Sequence, residues 1–489
     1  MKVNIKLKKM SQTGPTLRTA DVIIISSNIK SWAYALEAVD MSIQSDNEII
    51  ILDFSKINSF YPRSIRRKKI LQNLARQYDK RIQILDIKKM RFLSIAPKAF
   101  KFTLTRNTEN GIYNYDNIIL ATIAHIYRSA DLKLNIVPVQ HLFIYNLRIF
   151  LVSKVIYEIS NKRTIGTVFL FNGRKLIESS VISAFNSQSE IKPKFRIFER
   201  ASTEHKYEIF EISPHNNYEW QHKIDRFAKL HVKEIENANL FDLYSKYKST
   251  KSTLNSVPLV GKDWRNEFES KSIELPSKNY ITFFSTSTYE ITPILNFRDQ
   301  DFYSSQFDAI DTLLDICKNL DLVLLIRRHP SSIKSGKHDF EARLWEKYKT
   351  DNHILFIDAK NLADSYLIAK KSVLNFCWKS SIGVELLAEG AACYTMGITK
   401  YDWDNTLILT DTHEIKSKIE NALININTID EKKMNEQLKN YFYFLFNFGD
   451  DHKAVESLHR WGVVMKGNKR VYNRLFERAL NTLKIYSEE

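Results

Sequence analysis

Cysteine is scarce in this chain: Cys317, Cys377 and Cys393 are the three found in 489 residues. All sit in helix or strand patterns, with no C-x-x-C pair and no H-E-x-x-H anywhere. Such usage points away from a disulfide framework or a structural metal, and it suits core thiols in a reducing compartment. No run reaches the roughly 18 apolar residues of a spanning helix. The first eighteen residues carry lysines without the apolar stretch of a secretory leader, so the expected location is the cytoplasm. No G-x-G-x-x-G follows a strand, which argues against a bound dinucleotide, and no cofactor is expected. Internal repeats of about 20 to 50 residues and low-complexity tracts are absent as well.

What is present describes a globular protein. Hydrophobic residues make up 44% and aromatics 12%, too many for a disordered chain. The length allows two or three domains, each with its own core. Lys and Arg number 72 against 56 Asp and Glu, a formal charge of +16. An excess of that sign fits nucleic acid or an anionic membrane surface. The lysines are spread along the chain with no compact aromatic-basic motif, so nucleic acid is not expected. Peripheral contact with the inner face of a membrane and a plain lysine-heavy coding bias both account for the charge.

The chain is organised around residues 322–397. Leu322-Val323-Leu324-Leu325-Ile326 is an apolar run with the length of a buried strand, and it leads into Arg327-Arg328-His329-Pro330. Ile354 to Ile357 and Ser372 to Phe376 are two more strands. Ser380-Ser381 then opens a helix, followed by a last strand at Ala392 to Met396. Apolar strands alternating with helices predict a parallel sheet covered on both faces, with ligands at the carboxyl ends of the strands. Those ends carry His329 and Ser381. A helix start offers free N–H groups and partial positive charge, so Ser380 and Ser381 fit either a cap or an anion site. Arg328 and His329 add donors, and Glu385, one turn into the helix, is placed to accept from a ribose diol.

The first half repeats the pattern. Val22 to Ile25, a helix over Trp32–Ile43 and a strand over Glu48–Phe54 form a Rossmann-like opening. A basic helix at 63–75, a strand at 81–87 and helices at 117–127 and 142–157 follow. Thr167 to Phe171 then stops at Asn172-Gly173-Arg174, a helix runs to Asn186, and Phe195 to Phe198 ends at Glu199-Arg200. This βαβ unit puts Asn172, Arg174 and Glu199 on a carboxyl edge. A long helix is expected at 217–238. Residues 244–278 lack a clear period and read as an interdomain connection. Helices are expected at 301–319, 412–424 and 430–448, the last ending in Tyr441-Phe442-Tyr443-Phe444-Leu445-Phe446. That aromatic cluster suits burial against the other domain or a membrane-facing surface.

The RRHP turn, the Asp364-Ser365-Tyr366-Leu367-Ile368 segment and the SSIGVELLAEGA stretch together resemble the C-terminal half of GT-B glycosyltransferases that build bacterial capsule and lipopolysaccharide chains. Phe283 to Glu290 resembles that family's Ser-rich, Glu-ended loop, Gln306 matches a recurring Gln, and the strand-N-G-R-helix unit matches its N-terminal half. The likeness covers about residues 165–400. It implies two Rossmann-like domains facing across a cleft: an acceptor-side domain over 1–265, a nucleotide-sugar domain over 279–425, and terminal helices over 426–489 packing back on the first. It implies transfer of a sugar from a nucleotide-sugar donor to a glycan or lipid-linked acceptor without a bound metal. Ser285, Ser287, Glu290, Arg328, His329, Ser380, Ser381 and Glu385 would hold the donor, with Asn172 and Arg174 across the cleft and Glu199 and His329 carrying the chemistry. A polyol-phosphate transferase using a CDP-alcohol, a sugar-nucleotide epimerase and a non-catalytic binder of anionic glycan or nucleic acid remain open alternatives.

Overall fold

The computed structural model describes residues 19–54, 82–86, 139–255, 274–286, 302–329 and 342–472, brief internal gaps aside. The expected helix at 63–75 lies outside the described residues, as does that at 117–127 apart from Ile118, which is helical and buried. The first half runs β1 (Thr19–Ile25), α1 (Ile29–Ile43), β2 (Glu48–Asp53), β3 (Ile82–Asp86), α2 (Val139–Ser160), β4 (Thr164–Phe171), α3 (Leu176–Gln188), β5 (Lys194–Arg200) and β6 (Lys206–Phe210). Three helices follow: α4 (Asn217–Leu230), α5 (Val232–Asn237) and α6 (Leu240–Asn255). The second half runs β7 (Tyr280–Phe284), α7 (Gln306–Asn319), β8 (Val323–Arg327), α8 (Ala342–Lys349), β9 (Ile354–Ile357), α9 (Ser365–Lys371), β10 (Asn375–Cys377), α10 (Ile382–Ala388) and β11 (Cys393–Thr395). Helices α11 (Thr412–Leu423) and α12 (Glu431–Asn447) lead to β12 (Asp450–Asp451), β13 (Val455–Leu458), β14 (Gly462–Met465) and β15 (Lys469–Tyr472).

Two α/β sheets result. The first has the order β12-β6-β5-β4-β1-β2-β3, parallel from β5 to β3, with β6 antiparallel to β5 and β12 antiparallel to β6. The second, β11-β10-β7-β8-β9, is parallel throughout. The expected parallel sheets flanked by helices are thus present. Runs such as Ile49-Ile50-Ile51-Leu52 are buried along their whole length, because helices cover both faces and leave no wet side to alternate with.

Topology places the crevices. In the first sheet the chain moves one way from β1 through β2 to β3, then returns to β4 on the other side of β1. In the second it moves from β7 through β8 to β9, then returns to β10 on the other side of β7. Each reversal leaves a gap between crossover helices at the carboxyl ends of the central strands. The tips of β1 and β4 border the first gap, with β5 next to β4, and those of β7 and β10 flank the second.

Helix α12 joins the halves. Phe444 lies 5.9 Å from Trp220 and 5.4 Å from Phe227 of α4, and Phe442 lies 5.6 Å from Tyr244 of α6. Tyr441, Phe442, Phe444 and Phe446 are all buried, so the aromatic run is a packing face. Among the described residues, no helix is long and apolar enough to cross a membrane.

Three expectations change. The helix over 217–238 breaks at His231 into α4 and α5. The stretch after Tyr244 is not irregular at its start, because α6 continues to Asn255. Its Leu240, Leu243, Tyr244 and Tyr247 keep a three-four spacing inside a Lys/Ser/Thr-rich sequence that masks the period. Within the terminal region expected to be helical, β13, β14 and β15 instead form an antiparallel sheet, with β13 and β14 near α1.

Candidate functional site

The first cluster forms at the tips of β4 and β5. Asn172 and Gly173 have φ of 65° and 68°, a left-handed pair that stops β4 abruptly and that Asn and Gly tolerate best. The Asn172 amide N–H donates to the Phe198 carbonyl at 2.8 Å, which turns its side chain toward β5. There its Nδ2 donates to Glu199 Oε2 in a short hydrogen bond and lies 3.2 Å from His215 Nε2. Glu199 Oε1 also accepts the Arg200 amide at 2.9 Å.

His215 is fixed by the start of α4. Asn216 caps that helix by accepting from the Glu219 amide, while the Glu219 carboxylate accepts from the amides of Glu211, Ile212 and Ser213. This reciprocal arrangement holds the Ser213-Pro214-His215 turn against the sheet. Burial, with the charges of Arg174 and Lys400 close by, pushes the His215 imidazole down to about 3. The ring is neutral at pH 7, and its Nε2 faces the Asn172 amide as an acceptor.

A residue not expected from the sequence completes the cluster. Glu208 on β6 stands directly opposite Glu199 in the antiparallel β5–β6 register. Residues so paired project to the same side of the sheet. Glu208 is 2% exposed, and its Oε2 has no hydrogen-bond partner among the described residues. Burial raises its carboxyl to about 8, Glu199 adds to the rise, and the ammonium groups of Lys223 and Lys400 oppose it.

The second cluster lies at the edge of the second sheet. Ser285, just past β7, is buried and accepts the His329 amide on its Oγ at 2.8 Å. His329 is half-buried past β8. Ser380 is buried and Ser381 exposed at the start of α10; Ser380 Oγ accepts the Ile382 amide at 3.4 Å, and Ser381 makes no side-chain cap bond. Ser285, His329, Ser380 and Ser381 therefore all lie at the carboxyl edge of this sheet. They are not on adjacent strands, however. β7 lies between β8 and β10, so the histidine and the serine pair stand about two strand spacings apart, roughly 9 to 10 Å, with Ser285 between them. Ser287 and Glu290 lie outside the described residues. Gln306, at the start of α7, accepts the Thr286 amide on Oε1 at 3.1 Å.

Two of the expected donor ligands are turned inward. Arg328 is wholly buried, with its guanidinium 5.3 Å from the Trp345 ring of α8, so it presents nothing to the crevice. Its neighbour Arg327 donates to the carbonyls of Asp358 and Asn361 at 2.8 Å each and pins the loop after β9. Glu385 is 1% exposed and accepts from Tyr247 of α6 at 3.3 Å and Tyr366 of α9 at 2.5 Å. Two phenols hold the carboxylate where a ribose diol was expected, because α6 packs over α10.

One loop touches both clusters. After β11 the chain passes through residues 398–402, whose carbonyls are gripped by α4. Asn217 donates to the Ile398 carbonyl at 2.6 Å, and Gln221 donates to those of Thr399 and Asp402 at 2.5 and 2.7 Å. Lys400 is held 4.6 Å from the Trp220 ring, within electrostatic reach of Glu208 and Glu199. The next residue, Tyr401, donates to the Ser380 carbonyl at 3.0 Å. Gly383 makes room for it, since a Cβ there would lie 2.3 Å from the Tyr401 hydroxyl oxygen. Adjacent residues thus connect the carboxylate pair with the serine turn.

No protein-family model matches the chain, and no curated protein matches it significantly. Among solved structures it is similar to a Thermosulfurimonas dismutans KpsC, beta Kdo 2,7 transferase, at 10% identity over 68% of this chain and 89% of that one, with a TM-score of 0.31. It is similar to Methanocaldococcus jannaschii UDP-GlcNAc 2-epimerase at 11% identity over 88% and 100%, with a TM-score of 0.26. A glycosyltransferase from Rickettsia africae matches at 10% identity over 88% and 93%, with a TM-score of 0.25. Similarities of this size assign neither an activity nor a ligand to this chain.

Proposed function

We propose that the chain is a GT-B-type glycosyltransferase that moves a sugar from a nucleotide-sugar donor to a growing bacterial surface glycan. One observation carries this reading: the loop over 398–402 ties a hydroxyl- and amide-rich sheet edge to a carboxylate and histidine cluster on the other sheet. The first edge suits an anionic leaving group and the second suits proton removal from an acceptor hydroxyl.

The donor lies against the second sheet. Hydroxyls of Ser285, Ser380 and Ser381, the His329 imidazole and the α7 and α10 starts surround its phosphates, in place of a bound metal. The spread from His329 to Ser381 exceeds a single phosphate, so the phosphates and the rest of the nucleotide share it. The acceptor enters from the side of Asn172, Arg174 and Glu199. Glu199 takes the acceptor hydroxyl proton as the new C–O bond forms at the anomeric carbon, and the bond to the phosphate breaks with its electron pair going to the phosphate oxygen. Asn172 aims the carboxylate.

Glu199→Gln is expected to lower turnover about a hundredfold or more, the usual size of a general-base contribution, while leaving donor KM within a few-fold. His329→Ala is expected to raise donor KM instead, and chelation by EDTA to leave turnover unchanged. Equal turnover by wild type and Glu199→Gln would remove that residue from the chemistry. Turnover of donor without acceptor would favour the epimerase, and consumption of a CDP-alcohol the polyol-phosphate transferase.

A further inference from the structure

The mechanism above uses one carboxylate, yet the site contains two. Glu199 and Glu208 face each other across β5 and β6, and two carboxylates so placed resist ionising together. Their surroundings separate them. Glu199 is half-buried, and its carboxylate accepts from the Asn172 side chain and the Arg200 amide. Glu208 is enclosed, with one oxygen unpartnered among the described residues, an environment that favours the neutral acid.

The charges facing the pair come from every neighbouring element. Lys223 of α4 donates to the Ile209 carbonyl and sits 4.2 Å from the Phe210 ring. Lys400 approaches from the 398–402 loop, and Arg174 and the neutral His215 lie at the Asn172 side. Tyr34 of α1, within electrostatic reach of both carboxyls, is a buried neutral phenol. Desolvation lowers the proton affinity of both half-buried lysines, and the nearby Glu208 raises it.

We propose that Glu208 and Lys400 are positioning residues: Glu208 carries the single proton of the pair so that Glu199 stays ionised, and Lys400 sets how firmly that division holds. This rests on the glycosyltransferase reading for its role in catalysis, but the division of charge is a property of the resting protein. Because Lys400 precedes Tyr401, whose hydroxyl grips the Ser380 carbonyl, any shift of the serine turn on donor binding moves the cation relative to the pair. The division then depends on whether the donor half is seated.

The test is difference infrared spectroscopy of the full-length chain at pH 7, reading the carbonyl stretch of protonated carboxyls. Wild type minus Glu208→Gln is expected to show that band, and wild type minus Glu199→Gln is expected to lack it. A band lost in Glu199→Gln, or in neither variant, overturns the proposal. Lys400→Met supplies an independent reading if Glu208→Gln does not fold: removing the cation is expected to move the band's disappearance to higher pH, and an unchanged or lower midpoint overturns it. In a pH profile of kcat, wild type is expected to show an alkaline limb above about pH 8 that Glu208→Gln lacks, with donor KM unmoved. Bands that follow these expectations in a chain that turns over no sugar donor would keep the charge division and defeat the glycosyltransferase reading. Donor turnover with the band assigned to Glu199 would do the reverse.

Discussion

Gln221→Leu tests whether α4 holds the loop that joins the two clusters. The side chain is 6% exposed, and its Nε2 serves two carbonyls, Thr399 at 2.5 Å and Asp402 at 2.7 Å. Leucine fills similar space and donates nothing. A buried polar group left without its partner costs about 1 to 3 kcal/mol. Two carbonyls therefore lose about 2 to 6 kcal/mol, and the added apolar burial returns about 1 to 2. The expected net loss is about 1 to 4 kcal/mol, read as a lower urea midpoint with unchanged slope. Hydrogen exchange should localise it: peptides covering 398–409 should exchange faster, because Asp402 in turn accepts the amides of Thr406 and Leu407. Lys229→Ala, on the exposed side of the same helix, serves as control and should stay within about 0.5 kcal/mol. If Gln221→Leu matches that control in stability and in exchange over 398–409, the clamp is not holding the loop.

Three further outcomes follow from the same geometry. His215 has a folded value near 3 against about 6.5 when unfolded, so the unfolded chain binds the extra proton first. Its contribution to stability is complete above about pH 6.5 and falls as pH drops toward 3, by at most about 1.4 kcal/mol per unit; His215→Gln should flatten that part of the stability-versus-pH curve. Gly383→Ala forces a methyl onto the Tyr401 hydroxyl and should cost about 1 to 3 kcal/mol. Adding Tyr401→Phe should recover part of that loss in a double-mutant cycle of thermal melts, and strict additivity would contradict the contact. Glu385→Ala strands the hydroxyls of Tyr247 and Tyr366 and should lower stability by about 2 to 4 kcal/mol, with donor KM moving little if the residue acts between helices rather than on ribose.

What could be read from the chain follows the reach of each interaction. Strand tips and helix starts are local, so the Asn172-Gly173 stop, the Ser380-Ser381 turn and the alternation of strands and helices were visible in runs of five to fifteen residues. Residue roles that depend on what packs overhead were not. Arg328 and Glu385 have the expected chain positions, but α8 and α6 cover them, and neither helix reveals its docking face without the fold. Glu208 became visible only with the β5–β6 register, since a glutamate in Lys206-Tyr207-Glu208-Ile209-Phe210 reads as an ordinary solvated strand position. Lys400 lies about 200 residues from its partners in sequence and has no motif. For His215 a signal did exist: the Ser213-Pro214-His215-Asn216 sequence ahead of a Glu219 is a capped helix start, which fixes the residue before the cap.

The most direct test of the whole account is a donor screen. The full-length chain would be melted with CMP-, CDP-, UDP- and GDP-sugars, and any nucleotide sugar that raises the melting temperature would then be assayed for transfer to a glycan acceptor. The account predicts that at least one donor stabilises the fold, that Ser380→Ala and His329→Ala weaken the shift, and that turnover requires acceptor. If no nucleotide sugar shifts the melt, or if the shift is indifferent to both substitutions, the serine turn and the histidine do not form a donor site and the account is wrong at its centre.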